Sequence, residues 1–254
     1  MNNIPTEDGS FTCYSEEFDE HYHSIKEGAL KESLKKHVEP AFSLISQKDE
    51  VTILDICYGL GFNTLSTLYY LRHSTTKVHI KSPEFDENLV KSLVNFPYPK
   101  EFEPFTKIIK TLSKTGFYED SHCSIEIYFG DAREYLNGLD ITFDIVYQDA
   151  FSPKKNPLLW TYEYFNDVTR LLKKDGVITT YSSATPTRMS MYKNSLKIYE
   201  NKNLETRTGT IASKSELAGL KEIDMILKQQ RNKEARATYD AEYSSFTKDL
   251  LLKQ

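Results

Sequence analysis

The chain contains the run Val51-Thr52-Ile53-Leu54-Asp55-Ile56-Cys57-Tyr58-Gly59-Leu60-Gly61. Its first six residues are apolar or β-branched apart from one acid, which predicts a short strand buried in a parallel sheet. The two glycines predict a tight turn, and Asn63 or Thr64 can cap a following helix over 65–71. Such a turn lets the backbone approach a ligand at the positive end of the helix. The alternative is a purely structural turn between a strand and a helix.

The alternation of strands and helices continues along the chain. Further strands are predicted at 77–82, 124–129, 143–149 and 176–182. A helix is predicted over 161–173, and the stretch 83–122 is too long for a plain loop and is expected to be partly helical. Repeated strand–helix–strand units form a mostly parallel sheet with helices on both faces. The predicted fold is therefore a Rossmann-like α/β core.

Three segments differ in composition. Residues 1–50 begin as a polar stretch and become helix-like over 27–34, and Pro40 is predicted to interrupt that helix. We expect them to form an N-terminal arm packed on the core, which spans 51–215. Residues 216–254 are highly charged and are predicted to be a helical C-terminal extension.

Composition narrows the class of protein. The 254 residues suit one large domain, and a hydrophobic content of 39% is enough for a folded core. Three widely spaced cysteines without a CxxC pair predict neither a disulfide framework nor a zinc site. No signal peptide or long apolar stretch is present, so we expect a soluble cytoplasmic protein without membrane or metal. The net charge of −5 excludes coating of nucleic acid by bulk charge, but not binding through a local basic face.

Acidic side chains lie at the ends of the predicted strands. Asp55 is placed to bind the ammonium group of an amino-acid moiety, the arrangement found in methyltransferases. Glu84 follows the glycine turn by roughly 20 residues, the spacing of an acid that binds ribose hydroxyls. Asp131 can accept a hydrogen bond from the amino group of adenine. Each acid has a structural alternative, a solvated charge or a turn residue, but the three together in this order favour a nucleoside cofactor. Thr64 stands where a third dinucleotide-binding glycine would be, which weakens a nicotinamide or flavin interpretation.

A long motif follows the fourth predicted strand: Asp149-Ala150-Phe151-Ser152-Pro153-Lys154-Lys155-Asn156-Pro157-Leu158-Leu159-Trp160-Thr161. Asp149 lies at the carboxyl end of that strand, where open α/β sheets bind ligands. The loop supplies aromatic and cationic groups for stacking and for pairing with phosphates. The alternative is a proline-braced connection with Trp160 in the core.

This motif is similar to the D-[GA]-F-[AS]-P-x-K-N-P-x-x-W signature of the MnmC-type tRNA methyltransferase domain. The resemblance covers about residues 5–185, since the glycine turn, the segment 79–84 and the segment 130–132 also match the family. Cys57 replaces the first glycine of the family's turn, Asp55 replaces its glutamate, and its basic C-terminal loop is only Lys214-Ser215-Glu216 here.

The resemblance implies a specific reaction. The family uses S-adenosylmethionine to convert 5-aminomethyl(-2-thio)uridine at the tRNA wobble position to the 5-methylaminomethyl form. In many bacteria this domain is fused to a flavin-dependent oxidase that prepares the amine. The chain ends too soon for that domain, so we expect a stand-alone enzyme, linked in function to separate enzymes that make the aminomethyl group.

The expected site follows from the matched positions. The predicted cofactor-binding residues are Asp55, Tyr58, Gly59, Gly61, Asn63, Glu84, Asp131 and Ala132. Asp149 is the predicted catalytic residue, which either acts as a base or orients the amine. The residues predicted to contact the tRNA anticodon loop are Phe151, Lys154, Lys155, Asn156 and Trp160.

Two other functions remain open from the sequence. One is a transferase of the same fold that acts on a small amine such as a polyamine, which suits the acidic net charge. The other is a non-catalytic nucleotide-sensing or scaffold protein. A basic face beside the Asp149 loop would favour tRNA, and an acidic funnel would favour a polyamine. If Asp149 and Glu84 faced away from any cleft, the scaffold would be favoured.

Overall fold

The computed structural model describes residues 2–244, beginning with an arm of three short strands and one long helix. The strands are β1 (Asn3–Pro5), β2 (Phe11–Ser15) and β3 (Glu20–His21), which pair as an antiparallel sheet. The helix runs through α1 (Ala29–Glu32), a π-helical segment (Ser33–Val38) and α2 (Glu39–Leu44). The arm therefore has its own small sheet in addition to the predicted helix.

Pro40 does not interrupt this helix, contrary to the sequence prediction. Proline lacks the amide that would bond the carbonyl four residues earlier, which is that of Lys36. The side chain of Asn201 donates to the Lys36 carbonyl at 2.7 Å and so replaces that amide. The π-helical turn before Pro40 also widens the helix, and the chain continues as α2 without a break.

The core alternates strands and helices as predicted. Its strands are β4 (Glu50–Ile56), β5 (Lys77–Glu84), β6 (Phe117–Glu119), β7 (Cys123–Phe129), β8 (Phe143–Gln148), β9 (Leu172–Thr180), β10 (Lys197–Asn201) and β11 (Gly209–Ser213). Its α-helices are α3 (Phe62–Tyr70), α4 (Glu87–Ser92), α5 (Thr106–Thr115), α6 (Ala132–Gly138), α7 (Tyr162–Leu171) and α8 (Thr185–Lys193). Short 3₁₀ turns lie at Leu93–Asn95, Lys100–Phe105 and Pro157–Leu159.

The central sheet has the strand order β10-β11-β9-β8-β4-β5-β7-β6. Strands β9, β8, β4, β5 and β7 pair in parallel, and the remaining three pair antiparallel at the edges. The chain leaves β4 toward β5 and β7 and later returns to β8 on its other side. This reversal of direction creates the crevice in which such sheets bind ligands.

Two hydrophobic clusters cover the two faces of the sheet. Ile53 belongs to the cluster beneath the arm helix, α3 and α5, whereas its neighbour Leu54 belongs to the cluster beneath α6, α7 and α8. Both side chains are fully buried, because successive residues of a strand point to opposite faces. The predicted α/β class with helices on both faces is confirmed.

The C-terminal segment is less helical than predicted within the described residues. It contains α9 (Met225–Arg231) and a 3₁₀ turn at Asp240–Tyr243. Between them the chain packs on the core, where the Tyr162 amide donates to the Thr238 carbonyl at 2.8 Å. The predicted helix over 245–254 lies outside the described residues. None of the helices within 2–244 has the length and apolarity needed to cross a bilayer.

Candidate cofactor and acceptor site

A cavity of about 1310 Å³ opens at the carboxyl ends of the parallel strands. The segments after β4, β5, β7 and β8 form its floor, and residues 13–18 and 20–25 of the arm form part of its wall. Pockets for one small molecule measure about 300–1,000 Å³. This cavity therefore has room for a nucleoside cofactor together with a second ligand.

The glycine turn between β4 and α3 has left-handed backbone conformations. Cys57 has φ 65°, Gly59 has φ 54° and Gly61 has φ 75°. A Cβ at Gly61 would lie 2.7 Å from the Tyr58 hydroxyl oxygen, so only glycine fits there. Cys57 holds the same kind of conformation without being glycine, and this stores strain in the turn.

Glu84 ties the end of β5 to this turn. Its Oε2 accepts from the Gly59 amide at 2.7 Å, and its Oε1 accepts from the Asp86 amide at 2.9 Å. Burial raises the pKa of Glu84, and the two amide hydrogen bonds oppose that effect. An ionised carboxylate offers about four lone-pair positions, so each oxygen can also accept a hydroxyl from the cavity.

Two carboxylates share one amide at the start of α3. The Asn63 Nδ2 donates to Asp149 Oδ2 at 2.8 Å and lies 3.4 Å from Asp55 Oδ1. Asp55 is 1% exposed and also accepts from the Thr64 hydroxyl at 2.8 Å. Burial raises the pKa of Asp55 to about 7, and the charge of Asp149 adds to this effect. Asn63 Oδ1 is buried without a hydrogen-bond partner among the described residues.

His37 supports Asp149 from the side of the arm helix. Its Nε2 lies 3.4 Å from Asp149 Oδ1, and its Nδ1 lies 3.1 Å from the Thr179 hydroxyl on β9. The ring is completely buried, whereas 13% of the Asp149 side chain is exposed. Asp149 thus stands between the cavity and a buried imidazole.

Asp131 caps α6 at the far end of the cavity. Its Oδ1 accepts from the amides of Arg133 and Glu134 at 2.9 and 3.0 Å. Arg133 in turn forms a bidentate pair with Asp240, at 2.8 and 2.6 Å. Asp240 also accepts from the Thr161 hydroxyl at 2.7 Å. The C-terminal segment is therefore part of the cavity wall, a role that the sequence did not reveal.

The arm covers the loop that follows Asp149. Phe18 stacks on Phe151 with ring centroids 4.4 Å apart and an interplanar angle of 19°. Asp19 pairs with Lys155 at 2.5 Å, and Glu20 accepts from the Ser152 amide at 2.9 Å. The arm residues in these contacts lie at the turn between β2 and β3. The arm therefore packs against the outer side of the loop that follows Asp149.

The chain is similar to known S-adenosylmethionine-dependent methyltransferases in sequence and in structure. A family model described as S-adenosyl-L-methionine-dependent methyltransferase matches residues 101–215. The crystal structure of MnmC2 from Aquifex aeolicus is similar with a TM-score of 0.75 and 30% identity, over 84% of this chain and 70% of that chain. The chain belongs to the MnmC-type methyltransferase family. Members of this family are S-adenosyl-L-methionine-dependent, and that molecule is the cofactor.

Two curated proteins are similar to the chain over part of their own length. The uncharacterized protein MJ0670 of Methanocaldococcus jannaschii is 33% identical over 84% of this chain and 59% of its own length. The tRNA 5-methylaminomethyl-2-thiouridine biosynthesis bifunctional protein MnmC of Campylobacter hominis is 28% identical over 58% of this chain and 23% of its own length. The chain thus spans about three fifths of the first relative and about a quarter of the second.

Most of the predicted site residues line the cavity. They are Tyr58, Gly59, Asn63, Glu84, Asp131, Ala132, Asp149, Phe151, Lys155 and Asn156. Asp149 and Glu84 therefore face a common cleft, and the condition that would have favoured a scaffold protein is not met.

Four predicted residues lie outside the cavity wall: Asp55, Gly61, Lys154 and Trp160. Trp160 is 1% exposed, and its indole donates to the Phe151 carbonyl at 2.8 Å. It therefore cannot stack on a base in this conformation and instead fixes the loop. Asp55 lies beneath Asn63 and contacts the Nδ2 of that cavity-lining side chain at 3.4 Å.

Sequence reasoning missed His37, Phe18, Arg133 and Asp240. Their partners are distant in sequence: 112 residues separate His37 from Asp149, and 107 separate Arg133 from Asp240. A lone histidine in a charged helical stretch carries no local signal of such a contact.

Proposed function

We propose that the chain methylates the primary amine of 5-aminomethyl(-2-thio)uridine at the wobble position of tRNA. The observation that carries this proposal is the position of Asp149, a partly exposed carboxylate at the cavity, held by Asn63 directly beside the glycine turn. The names of the MnmC relatives, which refer to synthesis of 5-methylaminomethyl-2-thiouridine, support the choice of this amine.

The cavity fits S-adenosylmethionine chemically. The unpartnered Oδ1 of Asn63 and the two carboxylates beside it suit the ammonium group of a methionine moiety. The oxygens of Glu84 suit ribose hydroxyls, and the Asp131–Ala132 end of the cavity suits adenine. When bound there, the cofactor would supply an electrophilic methyl group. The proposed cofactor-binding set is thus the predicted one, with Asp55 acting indirectly.

The protein's own residues would prepare the acceptor. An alkylamine has a pKa near that of lysine, about 10.4, and is mostly protonated at neutral pH. Asp149 would bind this ammonium group, orient it and hold the proton that the nitrogen must lose. The cavity would fix the nitrogen in line with the methyl group, and such positioning can supply a large part of the rate acceleration. Phe151 and Asn156 would contact the base, and Lys154 and Lys155 the anticodon phosphates.

The charge of the cavity favours a second candidate, a small cationic amine. Ten lining residues are acidic: Glu16, Glu17, Glu20, Glu32, Glu84, Asp86, Asp131, Glu134, Asp149 and Asp240. Three lining residues are arginine or lysine, and each of them pairs with a carboxylate. Such a lining attracts polyamines and repels phosphates. A tRNA that carries aminomethyluridine would be attracted to this lining at its amine, but its phosphate backbone would be repelled.

One assay tests both candidates. Methyl transfer from labelled S-adenosylmethionine is measured with tRNA that carries 5-aminomethyluridine and, separately, with polyamines. We expect label in the wobble nucleoside, abolished in Asp149→Ala and retained in Asp140→Ala, an exposed acid outside the cavity. Label in a polyamine and none in tRNA would replace the proposed substrate with the second candidate.

A further inference from the structure

His37 is a buried histidine on an irregular part of the arm helix, and one of its ring nitrogens faces the site. It lies on the π-helical segment of the arm, and π-helical turns are frequent at functional sites. The ring is completely buried, yet its Nε2 has no hydrogen-bond partner among the described residues. The atom that this nitrogen faces is Asp149 Oδ1, at 3.4 Å.

The surroundings of His37 give its ring a defined role. Its Nδ1 lies within hydrogen-bond distance of the Thr179 hydroxyl, and the Tyr147 ring packs edge-on at 5.7 Å. The charged groups that face it are carboxylates, Asp149 from the loop after β8 and Asp55 from β4. Lys36 of the same helix is neutralised by its own pair with Glu27 and Glu32.

The hydrogen bond at Nδ1 sets the state of Nε2. If Nδ1–H donates to Thr179, the neutral ring presents the lone pair of Nε2 to the carboxylate. Two acceptors then face each other, which accounts for the 3.4 Å gap and the missing hydrogen bond. A proton placed on Nε2 would convert this contact into a charge-assisted hydrogen bond.

The proposed reaction needs such a proton acceptor. In water, proton transfer from an alkylammonium to a carboxylate is unfavourable by about six orders of magnitude, and transfer to imidazole by about four. Asp149 alone is therefore a poor final holder of the acceptor's proton, although it is the group that the amine can reach. An imidazole behind the carboxylate is about a hundredfold better suited.

We propose that His37 is a positioning residue for methyl transfer, which holds Asp149 from behind and receives the acceptor's proton through it. This inference rests on the proposed amine acceptor. One N–H bond of the ammonium breaks, its electron pair stays on nitrogen, and the proton passes to Asp149. As the O–H bond of Asp149 breaks, an N–H bond forms at His37 Nε2, which restores the carboxylate. The imidazolium later releases the proton to solvent. The contact must shorten by roughly half an ångström for this transfer, as catalytic contacts do on substrate binding.

Two variants separate proton transfer from simple support. His37→Gln keeps a polar group that reaches Asp149 but cannot titrate, whereas His37→Asn keeps the reach to Thr179 and loses the reach to Asp149. Single-turnover methyl transfer to the amine that the wild-type protein methylates is measured from pH 5 to 9, with thermal unfolding as the check of folding. We expect the wild-type rate constant to rise with pH as His37 becomes able to accept the proton. Both variants should change this pH dependence and fall about a hundredfold in rate at pH 7.5, with the amine concentration for half-saturation unchanged.

Two results would overturn the proposal. One is a His37→Gln rate close to wild type, because support without proton transfer would then suffice. The other is an unchanged pH profile in both variants. A second measurement needs no acceptor: ¹⁵N spectra of the free protein should show His37 as the Nδ1–H tautomer at pH 8, and an Nε2–H tautomer would contradict the proposal. Absence of transfer by the wild-type protein to any amine would refute the proposed function, while the spectra would still decide the state of His37.

Discussion

The carboxyl of Asp55 gives the sharpest test of the electrostatics at the site. Replacing it with asparagine keeps the shape and the acceptor for the Thr64 hydroxyl, but removes the charge. Below pH 3.8 the wild-type carboxyl is protonated in both the folded and the unfolded chain. Between about pH 4 and about pH 7 the unfolded chain loses this proton while the folded chain keeps it. Burial of Asp55 therefore lowers the stability of the wild-type protein as pH rises through this interval, and Asp55→Asn avoids that loss.

The size of the effect follows from the difference in pKa between the two states. The interval from 3.8 to about 7 corresponds to a free energy of about 4 kcal/mol, at about 1.4 kcal/mol for each pH unit. At pH 8 the full loss is present, and at pH 4.5 only about a quarter of it. We therefore expect the stability advantage of Asp55→Asn over wild type to grow by about 3 kcal/mol between these two pH values.

Urea unfolding at pH 4.5 and pH 8 measures this difference. Trp160 is the only tryptophan and is fully buried, so its fluorescence reports the loss of the core. Carboxyls that do not interact with Asp55 titrate alike in both proteins and cancel in the comparison. The matched control is Asp140→Asn, an exposed acid whose replacement should give the same small difference at both pH values. A stability difference for Asp55→Asn that does not change with pH would refute the reasoning.

Three further predictions concern Cys57 in the glycine turn, the carboxylate Glu84 proposed to bind ribose, and Lys154 in the loop after β8. Cys57→Gly should raise the unfolding temperature by about 2–4 °C, since relief of the left-handed conformation is worth about 1 kcal/mol, and a lower temperature would show that its packing matters more. Glu84→Gln should weaken calorimetric binding of S-adenosylhomocysteine by tenfold or more, because the amide nitrogen that replaces one carboxylate oxygen can accept neither from the backbone amide that it faces nor from a ribose hydroxyl, a loss of about 1–3 kcal/mol. The exposed Glu87→Gln should bind normally, and equal affinities in the two variants would argue against a ribose role. Lys154→Ala should weaken tRNA binding and reduce its logarithmic salt slope by about 1, and filter binding with an unchanged slope would exclude the phosphate contact.

The sequence predicted the core well because its signals are local. Strands β4 and β8 are short and mostly apolar, β5 and β7 alternate apolar with polar residues, and each lies within two residues of its predicted bounds. The end of α7 was less well predicted. The helix stops at Leu171 and β9 begins at once, since the Lys173 side chain donates to the buried Asp144 at 2.8 Å and holds the chain in the sheet. That contact joins β9 to β8, so the sequence around Lys173 contains no local pattern that predicts it.

The site was predicted where strand ends alone define it. Asp149, Glu84 and Asp131 follow parallel strands, and the carboxyl ends of parallel strands meet at one edge of the sheet. The parts contributed by the arm and the C-terminal segment, His37 and Asp240 above all, depend on packing across more than a hundred residues. Trp160 shows the opposite error. It was predicted to contact the tRNA because it matches the motif, but it is buried and its indole supports the loop by donating to the Phe151 carbonyl.

The acidity of the cavity does not by itself decide between tRNA and a polyamine. Asp55 and Asp149 share one amide, and placing two carboxylates so close costs stability that a bound cation would restore. The ammonium group of a methionine moiety and a protonated acceptor amine are both such cations, so either acceptor needs this acidic floor. The acceptors differ at the rim, where a tRNA must find cations for its phosphates. There Lys155 pairs with Asp19 of the arm, while Lys154 lies outside the cavity wall. An RNA phosphate could replace Asp19 at Lys155, whereas a polyamine would gain nothing from either lysine. Binding that depends on these two lysines would therefore favour RNA, whatever the charge of the floor.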